Sequence, residues 1–346
     1  IVKKDAETGK VIPVSGVGFK IWSVDDEKYI SQTINYPEET TLDTFYTNET
    51  GSLMLPKELV YGNYELHEVK APTGYFLNEE PVPFTVDGTE KTVEVEKFDT
   101  AQKGRISVSK RGEIFKKVQA IGPAIHTNED GETETSGFTT YTPVFEESGL
   151  GGAEFEVIAA EDIYTADGTL RASAGEVVAD IITDKDGNAS TEPLYLGKYV
   201  VKEKTAPYGY VLNDEAKEVE LTYAGQEVSI TDAVNNTFNN DYQRVKISLA
   251  KFMEHDELFD IGDNDEYKKV TFGLYAAEDI TAADGTVIPE DGFIAQVSLG
   301  EDMTADFTEK LPFSRYYVQE ISTDESYMLN GEKYLLNFQY MGQEMT

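Results

Sequence analysis

One phrase returns three times along the chain: Tyr-x-(Leu/Val)-x-Glu, then Tyr-x-Leu-Asn beginning seven residues after the Glu. The copies run from Tyr64 to Asn78, from Tyr199 to Asn213 and from Tyr316 to Asn330. Residues two apart in a strand share a face, so Tyr64, Leu66 and Glu68 point the same way. Each copy therefore sets a carboxylate at the end of an apolar, core-facing row. A buried charge is costly unless it is paired or neutralised. Three such carboxylates, Glu68, Glu203 and Glu320, point to chemistry inside a repeated core rather than to a surface pocket.

The repeat predicts three domains. Between the second and third copies the register is 117 residues: Phe155 maps to Phe272, Glu203 to Glu320 and Tyr223 to Tyr340. Boundaries are expected at 1–102, 103–243 and 244–346, with short junctions at Gln102 and Gln243 that favour a stiff stack. Short β-rich runs bounded by Gly, Asn and Asp turns fill the chain, and helical periodicity is weak. The expectation is all-β, three tandem β-sandwiches. Lys110 and Lys251 stand 141 apart, 24 more than the register. The surplus falls in 111–149 and predicts a hairpin or long loop projecting from the middle domain.

Composition narrows the function. The 346 residues carry 29 basic and 65 acidic side chains, a formal charge of −36. Nucleic acid and anionic membrane are poor partners for such a surface. No cysteine is present, so neither disulfides nor thiolate metal sites stabilise these domains. No stretch reaches the length of a membrane span. No signal-peptide pattern is visible, and residue 1 already lies in an apparent strand, so the chain reads as a piece of something longer.

A second anomaly accompanies the glutamates. In the first strand of each unit a lysine shares the core face: Lys3 with Ile1, Lys110 with Ile106 and Val108, Lys251 with Val245, Ile247 and Leu249. In the last strand Val93, Val95, Lys97 and Asp99 share parity, as do Val234, Phe238 and Asn240. Lys3 is followed by a second lysine, Lys4.

The phrase Lys3-Lys4-Asp5-Ala6-Glu7-Thr8-Gly9-Lys10, the turn Gly152-Ala153-Glu154-Phe155, and the stretches from Glu68 to Tyr75 and from Glu203 to Tyr210, each with an Ala-Pro-x-Gly core, resemble the Cna B-type, or SpaA-like, domains of Gram-positive pilins and surface adhesins. The resemblance implies Greek-key, immunoglobulin-like sandwiches in which a first-strand lysine bonds to a last-strand Asn or Asp, promoted by a buried Glu. Carried over, it assigns Lys3, Asp99 and Glu68 to the first domain and Lys110, Asn240 and Glu203 to the second. The third keeps Lys251 and Glu320, but its acceptor maps beyond Thr346, and Ser322-Thr323-Asp324-Glu325 replaces the Ala-Pro stretch. That domain is expected to lack its last strand. Each site acts once, releasing ammonia from Asn240 or water from Asp99, which makes the chain a structural protein and not an enzyme. The implied setting is extracellular, on the cell wall of a Gram-positive bacterium, with other subunits of the same structure as partners and no cofactor.

Burial supplies the chemical reason. Desolvation favours a neutral amine and a neutral acid. A neutral amine is a nucleophile, a protonated Glu can donate to the acceptor carbonyl, and folding holds the two in contact. Rival readings are a module that binds a host matrix protein or glycan through 111–149 or a sandwich face, and a secreted hydrolase using paired carboxylates. Asp184-Lys185-Asp186-Gly187-Asn188 opens like a calcium loop, but its twelfth position is Tyr195, which favours a turn. The acidic run from Asp260 to Glu266 reads as a solvated loop. His67, His126 and His255 lack metal-ligand spacing.

Overall fold

The computed structural model describes residues 1–127, 133–259, 261–262 and 264–346. Among these the chain is all-β apart from one 3-10 turn, Glu266–Lys269. Each copy of the repeat carries its own apolar core, built around Phe19 and Leu66, around Phe155 and Val201, and around Phe272 and Val318.

The glutamate strands set the pattern. Gly62–Lys70 alternates as its sequence demands, with Tyr64, Leu66 and Glu68 buried. It pairs antiparallel with Gly18–Ser23 and Val82–Val86. Gly197–Thr205 lies likewise between Glu154–Ala159 and Ala216–Leu221, and Ser314–Ser322 between Thr271–Ala276 and Tyr334–Phe338. In all three the glutamate stands opposite a phenylalanine: Phe19 with Glu68, Phe155 with Glu203, Phe272 with Glu320. Each pair is followed by a register irregularity, and a bulge re-aims a side chain at the point where pairing is interrupted.

The opposing sheet brings the ends of a unit together. Val2–Asp5 runs parallel to Glu96–Ala101, with Lys3 opposite Lys97 and Asp5 opposite Asp99. Lys103–Ile121 runs parallel to Ile230–Asn240. Ile247–Ala250 has one strand partner among the described residues, the antiparallel Thr304–Phe307. Among the described residues no parallel strand pairs with it as one does in the other two units.

The segment 111–149 is a hairpin, but it does not project freely. Arg111 to Ile121 pairs with Gly149 to Thr140, and Thr140 continues into a parallel bridge with Phe293 of the last unit. Phe115, Val118 and Tyr141 pack on the last unit's core. Ala283 and Asp284 donate backbone hydrogen bonds to the Phe115 and Lys116 carbonyls, and Phe138 stacks on Phe293 at 4.7 Å. The apolar side chains on the hairpin give the reason: Phe115, Val118 and Tyr141 are partly covered by lying along the neighbouring unit.

Two clasps of one design hold successive units. Gln102 is buried; its Oε1 accepts from the Ala224 N–H at 2.8 Å and its Nε2 donates to the Gly225 carbonyl at 2.9 Å. From the same turn Gln226 reaches back, its Oε1 accepting from Ala71 N–H at 3.0 Å and its carbonyl from Leu77 N–H at 2.8 Å. At the next junction Gln243 holds Met341 N–H and the Gly342 carbonyl, while Gln343 accepts from Ala206 and Leu212. Gly225 and Gly342 turn at φ 98° and 96°, which a side chain would strain.

Candidate crosslinking sites

In the first unit the two sheets bring Lys3, Glu68 and Asp99 into contact, all three side chains wholly buried. Lys3 Nζ lies 2.7 Å from Glu68 Oε2 and 2.5 Å from Asp99 Oδ1. The Glu68 approach is a hydrogen bond; the Asp99 approach lacks hydrogen-bond directionality, and neither Asp99 oxygen nor Glu68 Oε1 has another partner. Burial pushes the Glu68 carboxyl up to about 8, with the Asp99 charge adding and Lys3 opposing. Glu68 therefore holds a proton at neutral pH that it can lend. Lys4, the alternative nucleophile, points outward and pairs with Glu96.

The middle unit repeats the arrangement with an amide. Lys110 is fully buried, and its Nζ donates to Asn240 Oδ1 and lies 3.0 Å from Glu203 Oε1. Asn240 Nδ2 donates to the same Glu203 oxygen at 2.9 Å, while Glu203 Oε2 accepts from Asn213 N–H at 2.9 Å. The Phe155 and Phe238 rings stand 5.6 and 5.9 Å from the ammonium. Burial lowers the Lys110 pKa, against the pull of Glu203. Lysine, amide and carboxyl meet in one buried site.

The last unit holds half of this. Lys251 Nζ lies 3.1 Å from Glu320 Oε2, which also accepts from Asn330 N–H at 3.0 Å. Glu320 Oε1 is buried without a partner. Lys251 is 22% exposed, and among the described residues no Asn or Asp joins the pair. Asn337 faces outward on the far sheet.

Sequence reasoning gave no role to the second half of the repeated phrase, Tyr-x-Leu-Asn, and the structure supplies one. The tyrosine hydroxyl ties down the chain two or three residues past the lysine: Tyr75 donates to Asp5, Tyr210 to the Glu113 carbonyl and Tyr327 to the Glu254 carbonyl. The asparagine amide ties down the acceptor strand one residue before the acceptor, Asn78 on Phe98 and Asn213 on Asn239. Asn330, with no such strand to hold, donates to the Tyr334 hydroxyl instead. Recurrence at one spacing was the available signal. Lys97 was also passed over: it is 1% exposed beside the first site, its Nζ donating to the Glu80 carbonyl, and burial lowers its pKa.

Other candidates dissolve into local structure. Asp184 accepts from Asp186 and Asn188 N–H groups, a turn closed on itself. Of the acidic run, Asp260 and Asp263 lie outside the described residues, and Glu266 accepts from Gly262 and Asn264 N–H groups. No cluster of metal-ligating side chains occurs among the described residues. His67 pairs with Glu65, and the side chain of His126 lies outside the described residues. No helix is long and apolar enough to cross a membrane.

The Bacillus anthracis TIE protein superposes with a TM-score of 0.55 at 20% identity, over 99% of this chain and 48% of that one. The chain thus spans about half the length of that neighbour, and the likeness is one of fold. A streptococcal ancillary pilin matches at 17% identity over 93% of this chain and 88% of its own, with a TM-score of 0.26. A variant of BcpA, the major pilin subunit of Bacillus cereus, matches at 15% over 97% and 93%, with a TM-score of 0.30. No curated protein matches the chain. The model of the SpaA prealbumin-like fold domain matches residues 1–101 and 143–234, more than half of the sequence, with Lys3, Glu68, Asp99 and Glu203 inside the match and Lys110 and Asn240 outside it. On that match the chain belongs to the family of SpaA prealbumin-like fold domains.

Proposed function

We propose that this chain is a load-bearing segment of a Gram-positive surface adhesin or pilus, built from three units and closed by self-formed isopeptide bonds. The observation that carries the reading is the contact of a buried lysine, a buried glutamate and an Asp or Asn between first and last strands, made twice with different acceptors. In the middle unit the Lys110 amine attacks Asn240 Cγ; the C–N bond forms, and the amide nitrogen leaves as ammonia with protons relayed through Glu203. In the first unit Lys3 attacks Asp99 Cγ and water leaves, with Glu68 as relay. Each site acts once, so the chain is no enzyme in the turnover sense. The proposed setting is extracellular and attached to the cell wall, among other subunits of the same structure.

Intact mass tests the reading. The chain is expected to be lighter by one water and one ammonia, with Lys3–Asp99 and Lys110–Asn240 recovered as branched peptides after digestion. An unreduced mass in the folded protein overturns it.

A further inference from the structure

The two complete sites differ by one ionisable group, and a second difference accompanies the first. In the first unit the acceptor is an acid, Asp99, and the residue two before it on the same face is Lys97, 1% exposed. In the middle unit the acceptor is an amide, Asn240, and the residue two before it is Phe238, 0% exposed. Lys97 stands directly opposite Lys3 across the parallel pair, so two lysines and two carboxylates share one interior. The charged groups facing Lys97 are Lys3 from the first strand, Glu68 from the glutamate strand, Asp99 on its own strand and Glu80 from the preceding loop, whose carbonyl holds the ammonium.

Charge balance gives this pairing a purpose. Bond formation needs Lys3 as a free amine and Asp99 as an acid, so Glu68 and Asp99 must retain a proton between them and carry one negative charge. A low-dielectric interior demands a counter-charge for that anion. If Lys3 supplied it, Lys3 would be an ammonium with no lone pair. In the middle unit the problem does not arise: Asn240 is neutral, and one proton passed from Lys110 to Glu203 leaves no charge.

Resting on the crosslinking reading above, we infer that Lys97 is a positioning residue of the first site, whose ammonium supplies the counter-charge that lets a carboxylic acid accept Lys3. The Lys3 Nζ–Asp99 Cγ bond forms, the Cγ–hydroxyl bond breaks, and the hydroxyl leaves as water with the proton released by the nitrogen. Lys97 keeps its proton throughout and afterwards remains as the counter-ion of Glu68. A second cation beside a reactive lysine is a recognised means of keeping its amine free. Lys217 is a weaker relative in the middle unit, lying over the Phe238 ring at 4.8 Å and half-exposed.

The test follows crosslinking by mass after cell-free synthesis of the full chain, with ammonia loss in the middle unit as an internal check of folding. Lys97→Met is expected to slow water loss by about tenfold or more, the weight of one pKa unit. The double variant Lys97→Met/Asp99→Asn is expected to recover, now losing ammonia, because the amide removes the need for a counter-charge. Water loss from Lys97→Met at the native rate overturns the inference. So does a double variant that fails where Asp99→Asn alone succeeds, since that marks Lys97 as a packing residue. If the unaltered chain never joins Lys3 to Asp99, the crosslinking reading itself fails at this unit.

Discussion

On the proposed function, a glutamate beside a buried lysine is there to carry a proton. Removing it should separate assembly from reaction. Glu203→Ala is expected to leave the middle unit folded but heavier by the retained ammonia. Its melting temperature should fall by the worth of a closed loop, on the order of 4 kcal/mol by analogy with a disulfide; mass and calorimetry on one sample decide it. Glu68 makes a pH prediction. Asp99→Ala prevents the proposed bond and leaves Glu68 buried, burial being the first cause of its raised pKa; the Asp99 charge that adds to the rise is gone, so the variant's value lies below the native one of about 8. An acid with a raised folded pKa contributes stability that is complete below about 4.5 and lost as pH rises through the folded value. The first unit of Asp99→Ala should therefore melt lower at the alkaline end of that window, read by Trp22, the chain's single tryptophan. Glu68→Gln in the same background should be flat. Strand parity put Lys3, Glu68 and Asp99 on core faces, and the family resemblance grouped them as one site. Lys97 had the same parity, but parity cannot say which of two buried lysines reacts; that depends on which Nζ a neighbouring carbonyl already holds.

At the scale of elements, the hairpin within 111–149 couples two units that the short junctions would otherwise only abut. Its Lys310–Glu113 pair, the Phe145–Tyr242 contact at 5.2 Å and the Val118 N–H donated to Thr286 Oγ1 at 2.7 Å all cross to, or lie at, the junction with the last unit. Replacing Phe115 and Val118 by Ser removes apolar area worth roughly 1–3 kcal/mol from a partly covered face. Hydrogen exchange should then quicken in Thr271–Ala276 and Phe293–Ser298 while Gly62–Lys70 is unchanged. Equal exchange throughout would show that the last unit does not need the splint. This coupling also means that deleting 111–149 would disturb the last unit as well as any ligand contact. The insertion's length and start were readable from the break in register at Lys110. Its destination was not, because a hairpin's local pattern of alternating residues does not name the surface that covers it.

For the whole molecule, stiffness and strength come from different parts. Gln102 and Gln243 stood out in sequence only as junction residues; the backbone they hold belongs to matching Tyr-x-Gly-Gln-Glu turns that also carry Gln226 and Gln343, and only the fold places the turns against the preceding unit. At about 1 kcal/mol per hydrogen bond the clasp orders a junction without making it strong. Gln102→Ala/Gln226→Ala should broaden the distance distribution between spin labels on the first and middle units and leave both crosslinks intact. An unchanged distribution would assign the junction to the ion pairs of Arg171 and Lys103 with Asp5 and Glu7. Strength, on the proposed function, is a covalent matter. The proposed bonds, Lys3 to Asp99 and Lys110 to Asn240, would carry tension past the strands they enclose, so that pulling on the ends would not extend those loops. The last unit has Lys251 and Glu320 in contact with no acceptor among the described residues, and the strand leading to Lys251 has one antiparallel neighbour among them. Stretched singly, the chain should show one contour-length release, from the last unit, and none from the other two. Adding Glu68→Ala and Glu203→Ala should restore the two missing releases. Three releases from the unaltered chain would mean that no covalent bond closes the first and middle units.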